Sequence, residues 1–485
     1  MSSSLLSMAP VALAPLPVLM TGVAGLVATG GERHEELGLV LEVPSRYEPF
    51  PTPVTDDLMA LRFVADASAR QDSGLGAILS VIRIPAGEDP EPLPDPPPIH
   101  GVERFVEQRL KVWRIDETRA GAAREGWTGS EHWLLPVEGE SFLTTWIYSW
   151  KGEEVTWLLM GQCTKEVQDR EVAAWRRCAE GLEFFEPVVS RETLKWRKYY
   201  ERRASITDPE SRIRVRRRLV AGWKAEDTDR YVFAYSTRNK RLVNHLLKRI
   251  ESIRTSFEEH FPPARPIEVV SVVRICADAE EFALYGGARG SLGHWNSRAR
   301  ELVLSEEGDE DRIRQVMFGE GFHQYIDQAL DEIVPHPWFL EGCGDYFAGA
   351  HFDSHGDLSG VDEDPRQREI LQHALSVGEY PSLKALLGMD EKAFYGEGWQ
   401  VNRAMAGSLV IFLNASDTVR DRPTWSQVLP AYFGSLKAFR GEAERSSADA
   451  TIAARAEALR ASFEEIDRNE LESTWRRFAQ GPEGR

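Results

Sequence analysis

The amino-acid sequence predicts an α+β chain in two parts: a sheet-and-helix sandwich over residues 36–187, then a mostly helical domain with a small sheet over residues 231–479. Three observations predict this. Residues 36–187 carry short β-type apolar runs punctuated by turn residues, with two helical patterns among them. From residue 231 onward the apolar residues recur mainly at helical spacing, with a few strand-like segments. Between the two lies a basic segment, residues 188–225, densest at Arg216-Arg217-Arg218. A length of 485 residues is itself too great for one ordinary domain.

In the first part, Gly38 to Pro44 reads as a strand stopped by its proline. Ala60 to Ala65 and Gly76 to Ile84 read as two more. Asp89 to Pro98 holds six prolines and is expected to be an extended loop. Gly101 to Val112 is helical by period. Glu131 to Pro136, Phe142 to Trp150 and Glu154 to Gly161 read as strands, the last two facing each other across Lys151-Gly152-Glu153. Gln168 to Leu182 closes the unit as a helix with Trp175 on its apolar side. This layout resembles the PsbP-like sheet-and-helix sandwich.

Two readings of the basic segment stand open. Arg191 to Arg218 is either a docking stripe for an acidic partner or lipid headgroups, or a connector whose arginines pair with this acidic protein's own surface. From Tyr231 to Ser236 a strand is expected, then a long amphipathic helix from Asn239 to Phe261 with Leu242, Leu246, Ile250, Ile253 and Phe257 on one face. Ile267 to Ile275 reads as a buried strand, Glu280 to Tyr285 starts a short helix, and a loop and strand run from Leu292 to Leu304. Asp309 to Leu330 is the next helix, and Glu397 to Leu413 is a later one expected to cover it.

Composition narrows the function. A net charge of -19 excludes nucleic acid as a general partner, because phosphate binding needs a basic face. Residues 31–485 contain no apolar run long enough to span a bilayer. Met1 to Gly30 carries no charged side chain and resembles an export signal or N-terminal anchor. Against that, no Lys or Arg precedes its apolar run, and Pro10, Pro15 and Pro17 break a helix. An exported chain (periplasmic, extracellular or membrane-tethered) is the expectation, with a cytoplasmic one as the alternative. The four cysteines, Cys163, Cys178, Cys276 and Cys343, form no CxxC, which argues against a cysteine zinc site; pairing within each region is open.

The chemistry-bearing helix reads Gly319-Glu320-Gly321-Phe322-His323. Laid over H-E-x-x-H, Glu320 takes the general-base position, His323 the second zinc ligand, and Gly319 the first ligand. After a short loop comes Pro337-Trp338-Phe339-Leu340-Glu341-Gly342-Cys343-Gly344-Asp345-Tyr346-Phe347. This segment resembles the W-h-x-E-G-h-A-x-Y-F pattern (h apolar) of the peptidase-MA-like bacterial zinc metallopeptidases, which are gluzincins. It departs from that pattern at Gly344. The resemblance covers roughly residues 231–479. It implies Glu341 as the third zinc ligand and Asp345 as the carboxylate that orients the first histidine.

That first histidine is absent, since glycine binds no metal. Zinc is therefore expected to bind weakly or not at all, and the two glycines cost about 1 kcal/mol each in a helix interior. His294, His336, His351 and His355 are candidate substitutes by position. The leading expectation is a degenerate peptidase-fold protein that binds a peptide or protein in its inherited cleft. An active metallopeptidase is the alternative, with His323 and Glu341 on zinc, Glu320 as base and a substitute third ligand. A non-enzymatic interaction protein using residues 191–218 is a further one. A Cys343–His323 thiol site and a Glu320–Glu341 glycosidase pair are weaker still. Trp338 and Trp399 are expected to be packing residues.

Overall fold

The computed structural model describes residues 31–481 apart from 51, 53–55, 57, 66–76, 88–97, 140, 204, 220–221, 298, 331–332 and 441–447. The export segment expected over residues 1–30 and most of the proline-rich loop lie outside the described residues. The chain forms two compact units, 1–199 and 200–485. The architecture is α+β: sheets dominate the first unit, and a mostly helical region with a small sheet follows.

The first unit holds two sheets. One is three-stranded, from β1 (Glu32–His34), β2 (Leu39–Leu41) and β10 (Glu183–Phe184). The other is a seven-stranded antiparallel sheet of β3 (Tyr47–Pro49), β4 (Met59–Ala65), β5 (Ile78–Pro85), β6 (Trp113–Arg124), β7 (Trp127–Pro136), β8 (Leu143–Lys151) and β9 (Val155–Thr164), in the order β3-β4-β5-β9-β8-β7-β6. Alternation along β8 explains its two cores. Trp146, Tyr148 and Trp150 face one side, where α2 (Gln168–Gly181) lays Trp175 against them. Ile147 faces the other, where α1 (Val102–Arg109) supplies Phe105 and Val106. Strand β6 was not foreseen. It is an edge strand whose residues 117–124 are all exposed, so it carries no apolar alternation to read.

The basic segment is divided between the units. Helix α3 (Arg191–Tyr200) ends the first, and α4 (Pro209–Arg217) belongs to the second, capped by Asp208. Arg212 on α4 is fully buried, bonded to Asp227 and to the carbonyls of Thr207, Thr228, Asp229 and Tyr231. Arg216 pairs with the same Asp227 at 2.8 Å. These two arginines hold their own domain together rather than presenting charge to solvent.

The second unit's sheet has the order β11-β12-β13-β15-β14: β11 (Lys224–Asp227), β12 (Tyr231–Tyr235), β13 (Ser271–Cys276), β14 (Gly293–Asn296) and β15 (Glu301–Ser305). The three central strands are parallel and wholly buried, with antiparallel strands at both edges. A hairpin of β16 (Ala350–Phe352) and β17 (Leu358–Val361) stands apart from it. The helices that matter here are α5 (Lys240–His260), α6 (Ala279–Leu284), α7 (Glu310–Leu330), α8 (Pro337–Ala348), α9 (Pro365–Val377), α10 (Leu383–Leu387), α11 (Glu391–Phe394) and α12 (Trp399–Ala415). Helices from 428 to 480 close the bundle. Phe257 on α5 and Phe261 just after it meet Phe322 on α7 and Phe347 on α8 in edge-to-face and tilted ring contacts that lock these three helices into one core. Among the described residues, no helix is long and apolar enough to cross a membrane.

Candidate functional site

Helix α7 starts where Asp309 accepts a hydrogen bond from the Arg312 amide. Its Met317, Phe318, Phe322 and Tyr325 go into the core. The i, i+1, i+4 set Gly319, Glu320 and His323 falls on another face and lines a cleft. Helix α8 starts at Pro337, whose fixed φ suits the first helical turn. Its N-cap, His336, is held by Tyr432: the phenol accepts from the His336 amide at 2.9 Å and lies 2.8 Å from its Nδ1. One turn apart on α8 come Glu341 and Asp345.

Close helix packing gathers these groups. A Cβ at Gly342 would lie 2.6 Å from the carbonyl oxygen of Ala406, so α12 lies almost on the α8 backbone. That contact carries Arg403 over Asp345. A Cβ at Gly344, where the resembled pattern has alanine, would sit 3.0 Å from His323 Nε2. The glycine thus makes room for the imidazole. A Cβ at Gly319 would lie 3.2 Å from the Gly344 carbonyl oxygen, which gives this glycine a packing reason as well as a chemical consequence.

The resulting cleft has a volume of about 820 Å³ and lies between the 290–293 loop, α7, α8, α9 and α12. Glu320 Oε2 accepts the Trp295 amide of β14 at 2.9 Å and lies 3.7 Å from His323 Nδ1. His323 Nε2 lies 4.0 Å from Glu341 Oε1, and Tyr395 donates its hydroxyl to that same oxygen at 2.6 Å. Arg403 grips Asp345 through Nη2 at 2.8 Å and Nε at 3.1 Å, and its Nε is 3.6 Å from Glu341 Oε2. Gln367 donates to Asp345 at 2.8 Å.

Electrostatics follows from this geometry. Burial pushes the Glu320 carboxyl up; Glu341 adds to this, while His323, the Trp295 amide and Arg403 oppose it. Its side chain keeps 25% exposure and lines the cleft. For Arg403 burial acts downward, but Asp345, Glu341 and Glu320 together hold the guanidinium above its ordinary value. Tyr395 is raised by burial and by Glu341, so it stays a phenol and a donor. His336 is pushed down to about 4 by burial and by Arg455, which leaves it neutral with Nδ1 free to accept from Tyr432.

The structure brings Glu320, His323, Glu341 and Asp345 together. It does not bring the substitute histidines to them. His294 packs on Phe282 of α6. His336 is bonded to Tyr432, His351 to Asp362, and His355 is exposed. Cys343 is fully buried, its thiol pushed well up by burial, so it is a core residue rather than a nucleophile. All four cysteines are free thiols. Trp338 is buried as expected, but Trp399 is not a packing residue: it opens α12, is 43% exposed, and lines the cleft. Arg403, Tyr395 and Gln367 were not foreseen. A signal for Arg403 existed, because it is a lone arginine ahead of the apolar run Ala404-Met405-Ala406.

A zinc ion does not fit this donor set. Zinc–ligand bonds are about 2.0–2.2 Å, so 4.0 Å between His323 Nε2 and Glu341 Oε1 is two such bonds laid nearly end to end. Position 319 supplies no third donor. A guanidinium instead stands beside Glu341, and like charges in such a setting repel by several kcal/mol, roughly 4 kcal/mol per unit pair at ~4 Å. Among the described residues, no three His, Cys, Asp or Glu side chains are grouped to hold a metal.

The chain matches no family model and no curated protein. Among solved structures it is similar to cyanobacterial PsbP (CyanoP) from Synechocystis sp. PCC 6803, at 12% identity over 34% of this chain and 99% of that one, with a TM-score of 0.25. It is also similar to LpqN, involved in cell envelope biogenesis of Mycobacterium tuberculosis, at 13% identity over 30% of this chain and 83% of that one, with a TM-score of 0.23. At these scores neither bears on function, and the gluzincin resemblance rests on the residues quoted above.

Proposed function

We propose that the second unit binds a peptide or an extended protein segment in the cleft along β14 and releases it uncut. The carrying observation is the cleft of about 820 Å³, lined by Glu320 and by Gly293, the first residue of edge strand β14. The Ser305 amide donates to the Leu292 carbonyl, so in the antiparallel register residues 294 and 296 bond toward β15 while Trp295 points outward. Its amide meets Glu320, which places the outer edge of β14 on the cleft side. On that outer edge the Gly293 amide and carbonyl are bonded to the Ser291 hydroxyl and the Trp295 amide to Glu320, so a segment adding as a strand would exchange these local bonds, and the exposed Trp399 offers an aromatic anchor.

Against cleavage stands the missing donor at Gly319, with Tyr395 and Arg403 engaging Glu341 where a metal would be needed. The test is fluorescence polarisation of the full chain with a pool of unstructured peptides, followed by mass spectrometry of the peptides with added zinc. Binding is expected, with peptides intact, and Trp399→Ala should weaken it by roughly tenfold or more, as for a partly buried aromatic anchor. Zinc-dependent cleavage that disappears in Glu320→Gln would overturn the reading. So would the lack of binding to any peptide in the pool.

A further inference from the structure

Glu320, Glu341 and Asp345 reach the same small region from α7 and α8. Carboxylates gathered in this way repel one another, and a cation among them offsets that repulsion. In this cleft the cation is a side chain. Arg403 makes a two-point contact with Asp345 and stands 3.6 Å from Glu341, and its charge also reaches Glu320. Its position is fixed by its neighbours: α12 is pressed onto α8 at Gly342, and Gln367 from α9 donates to the Asp345 Oδ2 that Arg403 Nε also holds. Tyr395 takes the Glu341 oxygen that faces His323.

We propose that Arg403 is the resident cation of this carboxylate cluster and keeps divalent metal out of the cleft, so that a histidine at position 319 alone would not create a metal site. A guanidinium has no lone pair to offer a metal and does not shed its proton. A zinc held ~2 Å from a Glu341 oxygen would sit beside that fixed charge. Supplying the missing imidazole adds a donor and leaves the repulsion in place. Removing the guanidinium frees the carboxylates and leaves the donor missing. The site therefore needs both changes. The inference rests on the proposed function only in taking the wild-type chain to be metal-free.

The test is zinc content of the chelator-treated full chain after equilibrium dialysis against zinc, read by atomic absorption. Four proteins are compared: wild type, Gly319→His, Arg403→Met and the double variant. The first three are expected to hold far less than one zinc per chain. The double variant is expected to hold one, and at least about tenfold more tightly than Gly319→His, since the removed repulsion acts on a doubly charged ion. Equal affinity in Gly319→His and the double variant overturns the role given to Arg403 alone. A folded double variant that takes up no zinc overturns it too. One zinc per chain in the wild type overturns both this inference and the metal-free cleft it rests on. A second measurement covers a double variant that fails to fold. Arg403→Met should lower the melting temperature, and Arg403→Met with Asp345→Asn should recover part of that loss, because no unpaired charge remains. Additive losses would mark Arg403 as a packing residue and sink the proposal.

Discussion

Each unit contains a glutamate whose pKa burial acts to raise, and the two glutamates behave in opposite ways. In the first unit Glu171 is fully buried. Its carboxylate accepts from Arg46 at 2.6 Å, Tyr47 at 2.5 Å and Arg170 at 2.9 Å, and Tyr47 in turn accepts from the Trp175 indole. Burial works to raise its pKa, but these hydrogen bonds outweigh burial and hold it below the ordinary carboxylate range. In the second unit Glu320 has one backbone donor, a carboxylate neighbour and a cleft in front of it, and its pKa is raised. Burial is common to both. What differs is how many donors remain unspent on the structure. A glutamate whose oxygens are all engaged is a brace, and one left with accepting capacity beside a cavity is available to a ligand.

The comparison is broken most directly at Glu171. Glu171→Ala removes the centre of a saturated cluster and strands the Tyr47 hydroxyl and a half-buried guanidinium. It should cost about 3 kcal/mol, in the range for losing one partner of a buried ionic pair. The measurement is urea unfolding followed by tryptophan fluorescence, because Trp146, Trp150 and Trp175 all lie in that core. The transition of the first unit should move and that of the second should not. A shift under 1 kcal/mol, on the scale of a single surface contact, would mean the two clusters are energetically alike after all.

Glu320 should respond with the opposite sign. Its folded-state pKa is raised above the unfolded value, so the folded state binds its proton more tightly. The folded protein therefore loses stability as pH rises from the unfolded value of about 4.3 through the raised one, and regains it on acidification. For Glu171, with a depressed pKa, the stabilisation is present above the unfolded value and is lost as pH falls through the folded one. Glu320→Gln should thus stabilise the second unit at neutral pH and do almost nothing near pH 4, since the acid form and the amide are both uncharged. Thermal melts at both values check this. A loss of stability at neutral pH would place Glu320 among the braces.

Much of this was legible in the sequence, and the misses have physical causes. Trp175 on a helix face and the strand from Phe142 to Trp150 were readable because burial selects apolar, aromatic and β-branched residues there. Edge strand β6 was not, because solvent on its outer face imposes none. The group Glu320, His323, Glu341 and Asp345 was readable because chemistry at a helix face demands fixed spacing. Arg403 and Tyr395 come from more than 50 residues further along, and only the packing of α12 and α11 on α8 makes them part of the site. Spacing along a chain cannot show a contact of that kind. The same reason hid the fate of Arg212, whose partners apart from Thr207 lie in the turn and strands that follow α4.

The finest version of the comparison lies within one turn of α7. Gly319 and Gly321 carry the same intrinsic helix penalty, about 1 kcal/mol against alanine. Their surroundings differ. At Gly321 a Cβ would meet Phe257 and Leu302 at 3.9 and 4.0 Å, an ordinary contact with the core. At Gly319 it would meet the Gly344 carbonyl oxygen at 3.2 Å, which requires α7 and α8 to part by a few tenths of an ångström. Gly321→Ala should therefore raise stability by about 0.5–1 kcal/mol, from the restricted unfolded chain and the added core contact. Gly319→Ala should give little or nothing, its helix gain offset by the strained approach, and denaturant midpoints of the second unit's transition would separate the two. Equal gains would show that Gly319 is under no packing constraint, leaving the lost metal donor as the only consequence of a glycine there. A gain at Gly321 alone would show that packing at the cleft face of α7 is itself tuned to the short approach of α8, on which the placing of His323 over Gly344 depends.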